Sequence, residues 1–321
     1  MKLRYVFFCL MLIGLWGCES DSSTDGNDPS ANGTKAPEQP TEPTYNIKWT
    51  VPNDYSFTQK TKQGYQITYN PGTDQEDIAK LSMTSNRKFN IGKVDKEGAF
   101  AVTMTNLAVM GEYKGPDGKW LYDSNGSQKG QPASGLEKMV GTQVEFRLDP
   151  NSGQVVEVFS SEDLVNVLAM EDINLDAPDK VVREVLQPEW YVFPDGPVKL
   201  NQEWTREIKL KYQYQIALNM TFKIASREND QAKIAYEATV TPLEQKDMVM
   251  LKTKKGETFY HELNGTASGE VVVDEPSGAF ISHMTTSTME GDRVFLDKNG
   301  LEKSRLPMKV EMEINSEYAK N

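Results

Sequence analysis

The stretch that most clearly indicates the fold of this chain is IKLKYQYQIALNMTFKI, residues 208–224. Every even position in it is apolar or aromatic, and most odd positions carry Lys, Gln, Asn or Thr. This period of two is typical of a strand that buries one face in an antiparallel sheet. A straight strand of this length would extend over roughly 50 Å, which is comparable to the diameter of a whole domain. We therefore expect the strand to bend or to be broken by a bulge, within a strongly curved sheet.

The same alternation recurs along the chain and predicts further strands, at Tyr65 to Tyr69, Phe100 to Met104, Val144 to Leu148, Ile234 to Val240 and Val310 to Ile314. The segments between them contain Gly, Asn, Asp and Pro, which are the residue types that tight turns need. These turn segments are residues 96–98, 150–153, 228–230 and 297–300. The sequence thus predicts a mainly β fold.

Helix is expected in one region only, between two β-rich halves. Ser161 can cap a helix over Glu162–Met170, because its hydroxyl can accept a hydrogen bond from a free amide of the first turn. Pro178 suits the first position of a second helix, which Pro188 would stop. We expect a short helical connector over residues 161–189.

The two halves resemble each other in sequence, which predicts an internal duplication. The stretch 141–155 is similar to 265–280, and in this match Asp149 corresponds to Asp274 and Gly153 to Gly278. Each stretch indicates a strand, a tight turn and a returning strand. In the turn, the aspartate carboxylate would accept hydrogen bonds from backbone amides, and the glycine would take a positive φ. We therefore expect two similar curved antiparallel β units in tandem, half-barrel or open-barrel-like. The alternative is a chance similarity between ordinary hairpins.

The N-terminus has the pattern of a bacterial lipoprotein signal. A basic flank and an apolar run over residues 1–15 lead to Leu15-Trp16-Gly17-Cys18. The apolar run is short for a bilayer span, so we expect cleavage before Cys18 and lipid attachment to its sulfur. The alternative is an uncleaved membrane anchor. The polar residues that follow, to about Thr44, are typical of a disordered tether.

Composition narrows the range of functions. The net charge is −12 and no long basic stripe is present, so we expect no nucleic-acid partner. The two cysteines are Cys9, inside the signal, and Cys18, so the mature chain offers no free thiol for catalysis or zinc. The two histidines are His261 and His283, and no phosphate-binding or dinucleotide motif is present, so we expect no metal and no cofactor.

Two sets of residues are candidates for a functional site. Four aromatic residues lie near the joint between the halves and suit a groove for an apolar or amphipathic ligand: Trp190, Trp204, Tyr212 and Tyr214. Ordinary core packing is the alternative for them. The duplication also selects Asp149 and Asp274 as a pair of carboxylates for hydrolysis, although turn capping explains both residues.

Several phrases together resemble a known family. They are the Leu15-to-Cys18 phrase, the acidic tether, LDPNSGQV at residues 148–155 and FPDGPVKLNQEW at residues 193–204. They resemble a family of Bacteroidota lipoproteins known as domain of unknown function 6263, over most of residues 45–318. The resemblance implies no activity and no catalytic residue.

These observations predict an outer-membrane lipoprotein that is monomeric and is not an enzyme. Its parts are a signal peptide (1–17), the lipidated cysteine and tether (18–44), a first β unit (45–160), a helical connector (161–189) and a second β unit (190–321). We expect it to bind an apolar or amphipathic ligand or an envelope protein. A purely structural role and an acid/base hydrolase are the alternatives.

Overall fold

The computed structural model describes residues 43–116, 118–126, 136–160, 178–211, 214–252 and 257–321, and within them the fold is mainly antiparallel β-sheet. The strands of the first half are β1 (Thr44–Tyr45), β2 (Tyr55–Tyr69), β3 (Asp77–Val94), β4 (Phe100–Gly115), β5 (Gly118–Asp123), β6 (Gln143–Leu148) and β7 (Val155–Ser160). Those of the second half are β8 (Val198–Lys199), β9 (Glu203–Leu210), β10 (Ile216–Glu228), β11 (Gln231–Pro242), β12 (Leu251–Lys252), β13 (Thr258–Asp274), β14 (Phe280–Leu296) and β15 (Glu302–Lys320). The described helices are α1 (Leu136–Met139) and α2 (Pro178–Leu186), with 3₁₀ turns at Gln187–Glu189 and Gln245–Asp247.

One thirteen-stranded sheet contains almost all of these strands. Its order is β7-β6-β4-β3-β2-β15-β14-β13-β11-β10-β9, with β5 added to β4 and β12 added to β13. Five consecutive strands of the first half (β2, β3, β4, β6, β7) and five of the second (β9, β10, β11, β13, β14) follow the same meander order. β15 lies between β2 and β14 and joins the two meanders. The expected mainly β, antiparallel fold is confirmed, and the two halves lie side by side in one sheet.

The stretch at 208–224 is not one long strand, and in this respect the sequence interpretation is wrong. The chain reverses between β9 and β10, which pair antiparallel with Leu210 opposite Ile216. Gln215, just before β10, has φ of 50°. Because even-numbered residues pair with even-numbered residues across this hairpin, the apolar positions stay on one face through the reversal. The alternation of apolar and polar residues therefore continues from β9 into β10, and this pattern alone gives no sign of the turn between them.

The side chains on one face of the sheet form a single core that both halves share. In β2, alternate side chains from Phe57 to Tyr69 are buried, as the period of two requires. The largest fully buried side chains come from several strands and from the connector: Trp190, Tyr69, Phe89, Phe146, Phe193 and Phe222.

Helix α2 and the residues after it lie between the two edges of the sheet, β7 and β9. The helix packs against β7, and the carboxylate of Glu184 accepts a hydrogen bond of 2.9 Å from the backbone amide of Lys211, just after β9. The helix predicted to begin at Pro178 is confirmed, and it continues as the 3₁₀ turn Gln187–Glu189. The helix predicted over Glu162–Met170 lies outside the described residues.

The turn between β6 and β7 has the predicted geometry. The Asp149 carboxylate accepts hydrogen bonds from the Ser152 amide at 3.2 Å and the Ser152 hydroxyl at 2.5 Å. The Gly153 amide donates to the Asp149 carbonyl at 2.9 Å, and φ of Gly153 is +81°.

The turn between β13 and β14 repeats this pattern. Asp274 accepts from the Ser277 amide at 3.1 Å and from the Ser277 hydroxyl. The Gly278 amide donates to the Asp274 carbonyl at 2.7 Å, and φ of Gly278 is +68°. The two turns also occupy the same place in their meanders, which favours a duplication over chance similarity.

Both turns pack against backbone from the segments that cover one end of the core. A Cβ at Gly153 would lie 1.7 Å from the carbonyl oxygen of Trp190, and one at Gly278 would lie 2.0 Å from that of Lys48. The Trp49 and Trp190 rings meet beneath the turns with centroids 5.2 Å apart. The two glycines thus allow a close approach that no other residue type permits.

Candidate functional site: a buried polar chamber

The aromatic residues proposed for a ligand groove make separate contacts. Trp190 has no exposed surface and packs among core rings, including Phe89 at 5.2 Å. Trp204 stacks on Phe222 at 5.8 Å and donates its indole N–H to the Val192 carbonyl at 3.2 Å. Tyr214 is buried against His261, with ring centroids 5.6 Å apart. Tyr212 and Cys18 lie outside the described residues.

The Asp149 and Asp274 carboxylates accept hydrogen bonds from their own turns, as described above. His261 is buried within β13, where its Nδ1 lies 3.0 Å from Gln215 Oε1 and its Nε2 accepts a hydrogen bond of 3.2 Å from Arg293. Within the described ranges, no group of three or more His, Cys, Asp or Glu is placed to hold a metal ion.

A group of buried polar and charged side chains lies on the inward face of the sheet, and we name it the polar chamber. It consists of Gln59, Thr61, Arg87, Glu189, Ser316 and Tyr318. Strand register assembles it, because Gln59 lies opposite Arg87 on one side and opposite Tyr318 on the other. Thr61 lies opposite Ser316 in the next inward row, and their hydroxyls are 2.9 Å apart.

Glu189 is the only carboxylate in the polar chamber, and it comes from the connector rather than from the sheet. Gln59 Nε2 and the Tyr318 hydroxyl both donate hydrogen bonds to its Oε1. Its Oε2 lies 4.0 Å from the Arg87 guanidinium. Burial raises the pKa of this carboxyl to about 7 from its usual 4.5, although Arg87 and the Tyr318 hydrogen bond oppose the shift.

A second group of polar side chains borders the polar chamber. The Tyr236 hydroxyl lies 2.5 Å from the Thr285 hydroxyl and 3.2 Å from His283 Nε2. Tyr236 reaches them across β13, where a Cβ at Gly269 would lie 2.3 Å from the tyrosine hydroxyl. Burial lowers the pKa of His283 to about 4, so its imidazole is neutral at ordinary pH.

The cavity between these groups is small. It has a volume of about 30 Å³ and is lined by Arg87 and Glu189 together with Leu218, Met220 and other inward side chains. A water molecule needs about 10–15 Å³ of such space, so the cavity has room for about two waters. Pockets for drug-sized ligands are on the order of 300–1,000 Å³. At this place the described inward side chains therefore leave no room for a ligand of that size.

Two open depressions of about 580 and 600 Å³ lie on the outside of the sheet. They share residues 286–288 of β14. The floor of the larger one is rich in short hydroxyl side chains, with two acids beside them: Thr221, Thr239, Thr266, Ser268, Thr286, Thr288, Glu203 and Glu237.

Glu189→Gln is expected to remove a pH dependence of stability. The raised pKa means that folding favours the protonated acid, so its contribution is complete below about pH 4.5 and is lost as pH rises through about 7. We expect wild-type stability to fall by roughly 2–3 kcal/mol across this window because of Glu189. Urea unfolding of both proteins at pH 5, 6.5 and 8, in chloride-free buffer, measures this. Equal slopes for the two proteins would contradict it.

Comparisons with known proteins identify a family but no activity. The family model described as "Family of unknown function (DUF6263)" matches residues 97–280. No curated protein matches the sequence. A solved structure described as "Lipid-protein interactions in lipovitellin" is similar over 82% of this chain and 25% of that chain, with 9% identity and a TM-score of 0.43. This chain thus spans about a quarter of the length of that one.

In the described part of the chain, no helix is both long and apolar enough to cross a membrane. The family model covers more than half of the sequence, from the turn before β4 to the start of β14. The chain belongs to the DUF6263 family of unknown function.

Proposed function

We propose that this chain is an exported, lipid-anchored protein of the cell envelope that acts through its outer surface on a macromolecular partner. We propose a binding or scaffolding role for it rather than a catalytic one. The observation that carries this proposal is the small volume, about 30 Å³, of the cavity that the described inward side chains enclose. A carrier of an apolar or amphipathic molecule needs a cavity that encloses most of its cargo.

The even-numbered side chains of β9 and β10 face inward, so a cavity for an apolar ligand would lie beside them. Leu218 and Met220 do line the cavity, but the space beside them accommodates only about two waters. Ile216 and Phe222 have no exposed surface at all. An acyl chain could enter only by displacing side chains from a shared core, which is costly in a close-packed interior.

The outer face offers the larger surface. Thr239, Thr266 and Thr288 form a row across three neighbouring strands, and Glu237, Ser268 and Thr286 form the row beside it. Such polar faces can bind a partner through direct hydrogen bonds and through bridging waters, which are enthalpically nearly as good. This supports a polar macromolecule as the partner.

Cys18→Ala is expected to abolish acylation and release the protein from membranes. Acyl chains contribute about 0.8 kcal/mol per buried CH₂, and the acidic chain supplies no electrostatic attraction to anionic lipid. Fractionation of cells and metabolic labelling with a palmitate analogue measure the change. A Cys18→Ala protein that loses its signal and still pellets with membranes at high salt would contradict the anchor.

Photo-crosslinking in cells tests the partner. A benzophenone side chain at the exposed position Thr266 or Thr288 is expected to give one discrete heavier product. The same group at Asn299, in the exposed turn between β14 and β15, is the matched control. Equal labelling from all three positions, or none from the outer face, would contradict a partner at this surface.

A further inference from the structure

Arg87 is a buried cation whose charge is incompletely compensated. Only 5% of its surface is exposed, and its Nε has no hydrogen-bond partner in the described part of the chain. Glu189 Oε2 is 4.0 Å away, beyond hydrogen-bond distance. A guanidinium does not lose its proton in a protein, so burial cannot neutralise it. An uncompensated buried charge is costly, and an anion beside Arg87 would lower that cost.

Space for such an anion lies directly beside Arg87. The cavity of about 30 Å³ is lined by Arg87, by the hydroxyl residues Thr61, Ser316 and Thr285, and by Gln63. Hydroxyl and amide groups can turn a hydrogen towards an anion. The volume accommodates about two waters, or one small ion in their place.

Glu189 changes the charge of this site near neutral pH. Two donors already occupy its Oε1, and burial raises its pKa to about 7. The other titratable groups that face it keep one charge state between pH 6 and 8.5. The pKa of His283 is lowered to about 4, whereas burial raises those of Tyr65, Tyr236 and Tyr318 above their usual value. When Glu189 takes up a proton, Arg87 therefore loses the counter-charge that Glu189 supplies.

We propose that the polar chamber binds one small monovalent anion, of the size of chloride, against Arg87 when Glu189 is protonated. One proton and one anion enter together, so the net charge of the interior does not change. The bound ion replaces about two waters that fill the cavity at higher pH. Anion binding is thus coupled to proton uptake in this protein.

Halide-dependent stability tests the coupling. The melting temperature of the purified protein is measured in sodium chloride and in sodium gluconate of equal ionic strength, at pH 6 and pH 8.5. Chloride is expected to raise it by about 2 °C or more at pH 6 and to have a much smaller effect at pH 8.5. Arg87→Met should lose the chloride effect, while the solvent-facing control Arg305→Gln should keep it. A chloride effect that is absent at pH 6, or equal at both pH values, overturns the proposal.

Crystallography with bromide decides the same question without a variant, should Arg87→Met fail to fold. Wild-type crystals grown at pH 6 in sodium bromide are expected to show an anomalous peak in the cavity next to Arg87. Only water in the cavity at high bromide concentration overturns the proposal. Neither result bears on the partner at the outer face, so failure here is distinguishable from failure of the proposed function.

Discussion

Gly153→Ala and Gly278→Ala are each expected to destabilise the protein by about 2–5 kcal/mol. Two costs add at these positions. A non-glycine residue at positive φ costs roughly 1–2 kcal/mol. The new methyl group would also lie 1.7 Å from the Trp190 carbonyl oxygen or 2.0 Å from that of Lys48, and forcing apart packed backbone costs a further 1–3 kcal/mol or so.

Gly300→Ala is the matched control for both variants. Gly300 has φ of +77° in the turn between β14 and β15, but nothing lies within 4 Å of its Cβ position. It should therefore show the conformational cost alone, about 1–2 kcal/mol. Urea unfolding of the three variants measures the difference. If all three lose the same stability, the close packing of the two turns against the connector and the N-terminal segment is wrong.

Leu218→Lys is expected to cost about 3–5 kcal/mol and to leave little folded protein at 37 °C. Leu218 is 1% exposed on the inward face of β10, where an ammonium group would have no partner and no water. Asn219→Lys, one residue further along the same strand, should change stability by less than about 0.5 kcal/mol, because Asn219 faces solvent.

Thermal melting of the pair, at low and high salt, measures this difference. The neutral variant Leu218→Met separates the effect of charge from that of shape, because its volume is similar and its cost should stay below about 1.5 kcal/mol. Equal losses for the two lysine variants would mean that both faces of β10 are buried. The assignment of one buried face and one solvent-facing face to β10 would then be wrong.

The sequence predicted the strands well, because one buried face imposes a period of two that is visible without a structure. The turns at Asp149 and Asp274 were also predictable, since their short carboxylate and glycine phrases admit few conformations. The second helix could be delimited by Pro178 and Pro188 for a similar local reason. In each of these cases, a few neighbouring residues determine the backbone.

The hairpin of β9 and β10 was missed for a physical reason. Its pairing keeps even positions inward on both strands, and Tyr214, just before β10, continues the apolar alternation. Local patterning therefore could not separate one long strand from two paired ones.

The polar chamber was missed because its members are far apart in sequence. A signal did exist, since Gln59 and Arg87 occupy inward positions of β2 and β3 whose neighbours on that face include Phe57 and Phe89. A polar residue in the inward phase of an apolar alternation needs a buried partner. Which partner it meets depends on strand order and on where the connector enters, and Glu189 could not be assigned from its local sequence.

Native mass spectrometry of the protein purified from its own envelope in mild detergent tests the central claim most directly. The small cavity among the described inward side chains predicts one mass only, that of the chain with the acyl groups on Cys18, and no lipid released at low collision energy. Organic extraction should likewise recover no stoichiometric amphiphile. One or more non-covalent lipids per chain, displaced by a fluorescent fatty acid and lost in Met220→Trp, would contradict the account and restore the carrier.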